Sequence, residues 1–129
     1  MKFSFRSTTF ALVVLSGSPV AAASLSESER SGMQAAMTQH IDRFTIEGMF
    51  LSVDLKSGEV QKFSPSKSRP IITRMSESFV LCSDFKDSQR HSATVDFYVG
   101  KRFPIFQTEV NNRKPLMELE RAGKVASAE

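Results

Sequence analysis

The sequence predicts an α+β fold, with an N-terminal helix packed on an antiparallel β-meander of about six short strands, and a short C-terminal helix. Before residue 45, apolar residues recur at helical spacing. From Met49 to Val110 they alternate with polar residues in short runs separated by turn residues. Such short connections favour antiparallel pairing over parallel crossovers. We expect the helices to cover one face of this sheet.

The first 23 residues have the layout of a secretory signal peptide. Lys2 and Arg6 precede a short apolar run, and Ala21, Ala22 and Ala23 offer a cleavage site. The run is shorter than the roughly 20 residues of a bilayer span, so we expect no stable membrane insertion, with an uncleaved anchor as the alternative. We therefore predict a signal peptide over 1–23, a single domain over 24–129, and a periplasmic or secreted location.

The first helix is predicted over residues 27–44. Ser26 and Glu29 have capping-box spacing, which satisfies free amides at a helix start. Gly32 weakens the first turns. One amphipathic stripe recurs at steps of three and four residues, and it comprises Met33, Ala36, Met37, His40, Ile41 and Phe44.

Strand-like patterns then follow one another closely. The first alternates Met49 and Leu51 with Phe50, which places Phe50 on the outward side, and Phe106 falls on the outward side of the last strand. Two prolines mark the loop after the second strand, because proline cannot serve a central ladder. The predicted strands cover residues 49–55, 59–63, 71–75, 78–85, 92–99 and 103–110.

The chain ends in a predicted short helix. Asn111 or Asn112 can cap it, Pro115 is tolerated in its first turn, and Gly123 suits the left-handed position after its last residue. We expect the residues from Ser127 onward to be frayed.

The fourth and fifth strands predict a register, because residues directly opposite each other in an antiparallel pair share a face. Apolar alternation in both strands is satisfied when Leu81 lies opposite Phe97 and Phe79 opposite Val99. The other face then pairs Cys82 with Asp96, Val80 with Tyr98, and Asp84 with Thr94. This mixed face is too apolar for plain solvent surface. Either it lines a cleft or meets a partner, or the C-terminal segment or loops partly cover it.

Cys82 is the only cysteine, so no intramolecular disulfide can form. Asp96 as its neighbour raises the pKa of the thiol, which favours a buried free thiol over a nucleophile served by His40 or His91. An intermolecular disulfide is the other alternative. The two histidines lie far apart without a cluster of ligands, so we expect no metal and no cofactor.

The charge balance argues against nucleic-acid binding. The chain has 17 Lys and Arg residues against 14 Asp and Glu residues. Removal of the signal peptide takes Lys2 and Arg6 and leaves 15 against 14. The remaining basic pairs, among them Arg113 with Lys114, lie in loops or at element ends, where we expect them to be solvated.

The order of helix and meander is similar to that of cystatin-like and NTF2-like folds. The cystatin loop signature Gln-x-Val-x-Gly is absent, so protease inhibition is not implied. Phe-Val-Leu-Cys at 79–82 and Thr-Val-Asp-Phe-Tyr at 94–98 resemble small uncharacterised exported bacterial proteins. That resemblance implies export and brings no activity with it.

Three functional hypotheses follow. The first is a non-enzymatic accessory domain that binds a partner protein or a small apolar ligand on the non-core sheet face, through Phe50, Val80, Cys82, Asp96, Tyr98 and Phe106. The second is a small hydrolase or lyase that uses Asp84, Asp96 and Tyr98 in a cleft, because paired carboxylates can run acid–base chemistry. The third is a homodimer whose non-core faces pack together. A deep pocket favours the enzyme, and an open aromatic surface favours the partner.

Overall fold

The computed structural model describes residues 25–129, so the predicted signal peptide lies outside the described residues. Two helices and an open antiparallel sheet form an α+β fold, as predicted, but the sheet has eight strands rather than about six. In chain order the elements are α1 (Glu27–Arg43), β1 (Thr45–Ile46), β2 (Met49–Val53), β3 (Val60–Pro65), β4 (Ile71–Met75), β5 (Ser78–Asp87), β6 (Ser92–Val99), β7 (Ile105–Val110), α2 (Lys114–Arg121) and β8 (Val125–Ser127).

The helix α1 begins at the position that the capping-box residues predict for its start. The Ser26 hydroxyl accepts a hydrogen bond from the Glu29 amide at 3.1 Å and so satisfies a free donor of the first turn. Met33 is buried in the core, and Met37 and Ile41 pack beside it. Within residues 25–129, neither helix has the length and apolar character that a membrane crossing requires.

The long strand β5 organises the sheet. One of its edges pairs with β6, and β7 lies beyond β6. The other edge is shared, because β4 pairs with the first half of β5 and β3 with its last residues. The predicted register of β5 and β6 is confirmed, with Leu81 opposite Phe97 and Cys82 opposite Asp96. The strand pair that carries most of the sequence-predicted site residues thus has the register that its own alternation predicts.

The two helices cover opposite faces of the sheet, so the prediction that both cover one face is wrong. Leu81 and Phe97 belong to the larger core, which Met33 of α1 joins. Val80 on the other face belongs to a second, smaller core, which Leu116 of α2 joins. A second helix can settle there because the second face carries enough apolar surface to bury one.

The predicted outward position of Phe50 is also wrong. Phe50 is buried in the larger core, where its ring centroid lies 5.5 Å from that of Phe85 and 6.2 Å from that of Phe97. On the opposite side of β2, Val53 is 51% exposed and Leu51 is only partly buried. The aromatic ring buries more apolar area than the aliphatic residues beside it, so the cluster of rings decides which side of β2 faces inward.

The C-terminus is docked rather than frayed. The strand β8 pairs with β4, and the Ala128 amide donates to the Ile72 carbonyl at 3.0 Å. Glu129 then forms an ion pair with Arg30 of α1 at 3.0 Å. The chain end therefore ties the start of α1 to the edge of the sheet.

Candidate functional site

The face proposed as a binding surface lies largely beneath α2. Val80, Cys82 and Tyr98 are buried together with Leu116 of α2 and Val125 of β8. The structure thus brings the predicted residues together, but mostly as packing. The packing of α2 and β8 on this face agrees with the alternative in which the C-terminal segment covers it.

The Asp96 carboxylate lies in the middle of this covered face. Its side chain is 0% exposed, and its Oδ2 lies 3.5 Å from Nε of Arg113. Arg113, rather than the predicted Asn111 or Asn112, occupies the N-cap position of α2, and its side chain makes no capping hydrogen bond. Another nitrogen of Arg113 donates to Cys82 Sγ at 3.2 Å. Neither carboxylate oxygen has a hydrogen-bond partner of normal geometry among the described residues. The expectation that Arg113 is simply solvated is therefore wrong, because its guanidinium turns inward to the buried charge.

Burial dominates the acid–base properties of this cluster. It raises the pKa of the Cys82 thiol to about 12, with the neighbouring Asp96 adding to the rise and Arg113 opposing it. Burial also raises the pKa of Asp96, opposed by Cys82 and Arg113, and it raises the pKa of Tyr98. Cys82 is a free, buried thiol. Near neutral pH it is protonated, which is the state of a packing residue and not of a nucleophile.

The three residues of the hydrolase hypothesis do not form a cleft. Asp84 is exposed and accepts a hydrogen bond from Ser68 at 3.3 Å, whereas Asp96 lies beneath α2. The clefts that lie near α1, β2 and β7 among residues 25–129 are not lined by Asp84, Asp96 or Tyr98.

An open cleft lies elsewhere, between β2 and β7. These strands are separated by three others in the pairing order, yet they line the same cavities, so the sheet curls until its two sides approach each other. At one end is the aromatic groove, of about 270 Å³. Its lining residues are His40, Phe44, Phe50, Leu51, Ile105, Phe106, Gln107 and Thr108.

Two phenylalanines form the exposed walls of the aromatic groove. Phe44 at the end of α1 is 47% exposed, and Phe106 on β7 is 59% exposed. Phe50 contributes a buried floor. Phe106 points outward as predicted, with its ring centroid 6.4 Å from that of Tyr98. It is the unpaired residue of a bulge in β7, a feature that commonly re-aims side chains near binding sites.

The imidazole of His40 lies at the inner wall of the groove. Its Nε2 is 3.4 Å from the Thr108 hydroxyl, and its ring centroid lies 4.8 Å from that of Phe44. Burial, helped by Arg43, lowers the pKa of His40, so the ring is neutral near pH 7. Among the described residues, no group of three or more histidine, cysteine, aspartate or glutamate side chains is placed to hold a metal ion.

At the other end is the polar cleft, of about 500 Å³. It carries the carboxylates of Asp54 and Glu109 and the ammonium group of Lys56. The Glu109 side chain accepts hydrogen bonds from Gln107 at 2.8 Å and from Asn112 at 3.1 Å, so its position is held by neighbours on the same strand and loop.

Sequence reasoning identified Phe50 and Phe106 as candidate site residues, but on the wrong surface. It missed Phe44 and the approach of β2 to β7, because alternation within a strand carries no information on which strands become neighbours in a curled sheet. Comparisons with models of protein families, with curated proteins and with solved structures found no match to this chain.

Proposed function

We propose that this chain is an exported, non-enzymatic binding domain that holds an apolar group of a partner protein or a small apolar ligand in the aromatic groove. The observation that carries the proposal is the pair of exposed rings, Phe44 and Phe106, on the walls of an open groove above Phe50. Clustered aromatic surface is costly to leave in water and is enriched at binding sites.

The covered sheet face supports the same choice of site. Val80, Cys82 and Tyr98 already have partners in α2 and β8, so no ligand and no second copy of the chain is needed to cover them. The acid–base groups of the enzyme hypothesis are either solvated, like Asp84, or enclosed, like Asp96. Recognition therefore fits the rim between β2 and β7 better than the face.

An apolar dye tests the groove directly. Titration of the protein with anilinonaphthalene sulfonate should give saturable fluorescence, and Phe106→Ser should weaken the apparent affinity about tenfold by removing one aromatic wall. Ile71→Ser is the matched control, because Ile71 is also 59% exposed but lies outside the groove. Equal affinity for both variants, at matched thermal stability, would contradict the proposal.

A further inference from the structure

The outer edges of β2 and β7 face each other across the two cavities. Within residues 25–129, β7 pairs with β6 alone. On its side away from β3, β2 pairs with the two residues of β1 and with no other strand of residues 25–129. Both strands therefore present backbone groups to the cleft over part of their length.

The ladder between β6 and β7 shows which groups of β7 point into the cleft. The Asn111 amide donates to the Thr94 carbonyl at 2.8 Å. In an antiparallel pair, hydrogen-bonded and non-hydrogen-bonded residue pairs alternate. Glu109 therefore bonds to β6, and the amides and carbonyls of Thr108 and Val110 point away from it, toward β2.

Hydrogen-bonded and non-hydrogen-bonded residue pairs alternate between β2 and β3 as well. The Asp54 amide donates to the Glu59 carbonyl at 2.9 Å, so Ser52 bonds to β3 while Val53 points the other way. Leu51 lies two residues before Val53, so its amide should point away from β3 as well. It does, because it donates to the Phe44 carbonyl at 3.0 Å. The amide and carbonyl of Val53 thus face β7 across the cleft.

The cleft accommodates a single extended chain. The aromatic groove and the polar cleft lie end to end along β7, with Thr108 lining both, and measure about 270 Å³ and about 500 Å³. Six residues of extended peptide cover about 20 Å, the length of a strand like β7. The sheet edge of a second copy suits the cleft less well, because β2 lies opposite β7 where the rest of that sheet would have to lie.

The side chains along the cleft give the peptide a direction. Phe44 and Phe106 offer apolar contact at one end. Asp54 and Glu109 place two carboxylates against the single ammonium group of Lys56 at the other. A segment with an apolar residue at one end and a basic residue at the other complements both regions.

We propose that the partner enters this cleft as an extended peptide segment, which adds a strand along the open edge of β7, places an apolar side chain in the aromatic groove and directs a basic side chain toward Asp54 and Glu109. Strand addition is an established mode of peptide recognition, in which the main chain supplies affinity and alternate side chains supply specificity. This inference rests on the proposed function and specifies the class of its ligand.

The probes are two synthetic peptides, Lys-Thr-Val-Thr-Val-Thr-Phe and its reverse, which cover both chain directions. Each carries a fluorescent label and is compared with versions N-methylated at every second residue, in both phases. N-methylation leaves the side chains in place but removes the amide donors of one edge. We expect one direction to bind, and methylation in at least one phase to weaken it about tenfold, as the loss of backbone hydrogen bonds implies.

A protein variant tests the β2 side of the same cleft, beside which a strand added to β7 would lie. Val53→Pro removes one amide that faces the cleft, and it leaves the ladder to β3 intact because Val53 and Val60 form a non-hydrogen-bonded pair. Val60→Pro is the matched control, since Val60 is likewise an exposed strand valine but lies outside the cleft. Peptide binding that is weakened in the Val53 variant and not in the Val60 variant supports strand addition. If either variant fails to fold, the N-methylated peptides decide alone.

The outcomes separate this inference from the proposed function. If the methylated peptides bind as well as the unmodified ones, or if no peptide binds while the dye still depends on Phe106, strand addition is wrong and the apolar groove stands. If dye binding also ignores Phe106, both proposals fail. Protection of the Thr108 and Val110 amides from hydrogen exchange on peptide binding gives independent support.

Discussion

Removing the two partners of the buried ion pair should change stability in different ways at neutral pH. Asp96 is completely enclosed, whereas Arg113 is 43% exposed, and their closest atoms are 3.5 Å apart. Arg113→Ala leaves a buried carboxylate without its cation. Asp96→Asn leaves a guanidinium that water already reaches. We therefore expect the first change to be costly and the second to be nearly neutral.

The magnitude follows from the geometry. Breaking a buried ion pair by removing one partner costs about 3–5 kcal/mol. The exposure of Arg113 and the long separation reduce this, so we expect Arg113→Ala to lower the free energy of unfolding by about 2–3 kcal/mol at pH 7. Asp96→Asn keeps the shape and removes the cost of burying charge, so it should stay within about 1 kcal/mol of the wild type.

The pH dependence distinguishes this electrostatic cause from lost packing. Burial holds the pKa of Asp96 above its usual 3.8, so the folded state binds this proton more tightly than the unfolded state does. Such a group makes the folded state less stable as pH rises from the unfolded value through the folded pKa. Arg113 lowers that pKa, and its removal widens the window. The deficit of Arg113→Ala should therefore shrink as the pH falls.

Urea denaturation at about pH 7.5 and about pH 4.5 measures these differences, each variant being compared with the wild type at the same pH. Lys114→Ala is the control, because Lys114 is an exposed cation on the next residue. The double variant of Arg113 and Asp96 should recover most of the loss. A deficit under about 0.5 kcal/mol, or one that is the same at both pH values, would refute the reasoning.

Four further predictions concern the fold and its export. Phe97→Ala should cost about 3–5 kcal/mol in thermal or urea melts, and a loss under about 1 kcal/mol would contradict its place in the larger core. Gly32→Ala, a change that normally stabilises a helix, should instead cost about 1–3 kcal/mol, because the added Cβ would clash with the ring of Phe103. A gain in melting temperature would show that the ring moves freely aside. Cys82 should react with iodoacetamide near neutral pH only as fast as the protein unfolds, and rapid alkylation of folded protein would contradict its raised pKa. Intact-mass analysis of exported protein should show cleavage after Ala23, or after Ala22 as second choice, whereas an uncleaved N-terminus would contradict the signal peptide.

The parts of the fold that could be predicted are those in which the spacing of apolar residues in the sequence matches the repeat of a helix or a strand. Alternation in two neighbouring strands admitted one register that buried both apolar sets, and β5 and β6 have that register, with Leu81 opposite Phe97. The helix α1 was equally accessible, because Ser26 and Glu29 mark its start and its apolar stripe repeats every three to four residues.

The parts that could not be predicted depend on which distant segments meet. Alternation shows that β2 has two sides, but whether Phe50 or Leu51 faces inward depends on the rings of Phe85 and Phe97, which arrive from other strands. Arg113 is an ordinary loop cation in the sequence, and it becomes part of a buried ion pair only because α2 docks on the second face. The candidate site shares this origin, since Phe44 and Phe106 meet only through the curl of the sheet.

Because helices cover both sheet faces, we propose that recognition occurs at the edge of the sheet. One face is covered by α1 and the other by α2, so the apolar residues that first indicated a binding surface pack within the fold instead. The open edge of β7 carries no lysine and no proline, but it has two other features that blunt exposed edges, the bulge at Phe106 and the charge of Glu109. β2 stands opposite this edge, and residues of both strands line the two cavities. We therefore propose that recognition uses the backbone groups of this edge, which neither helix covers.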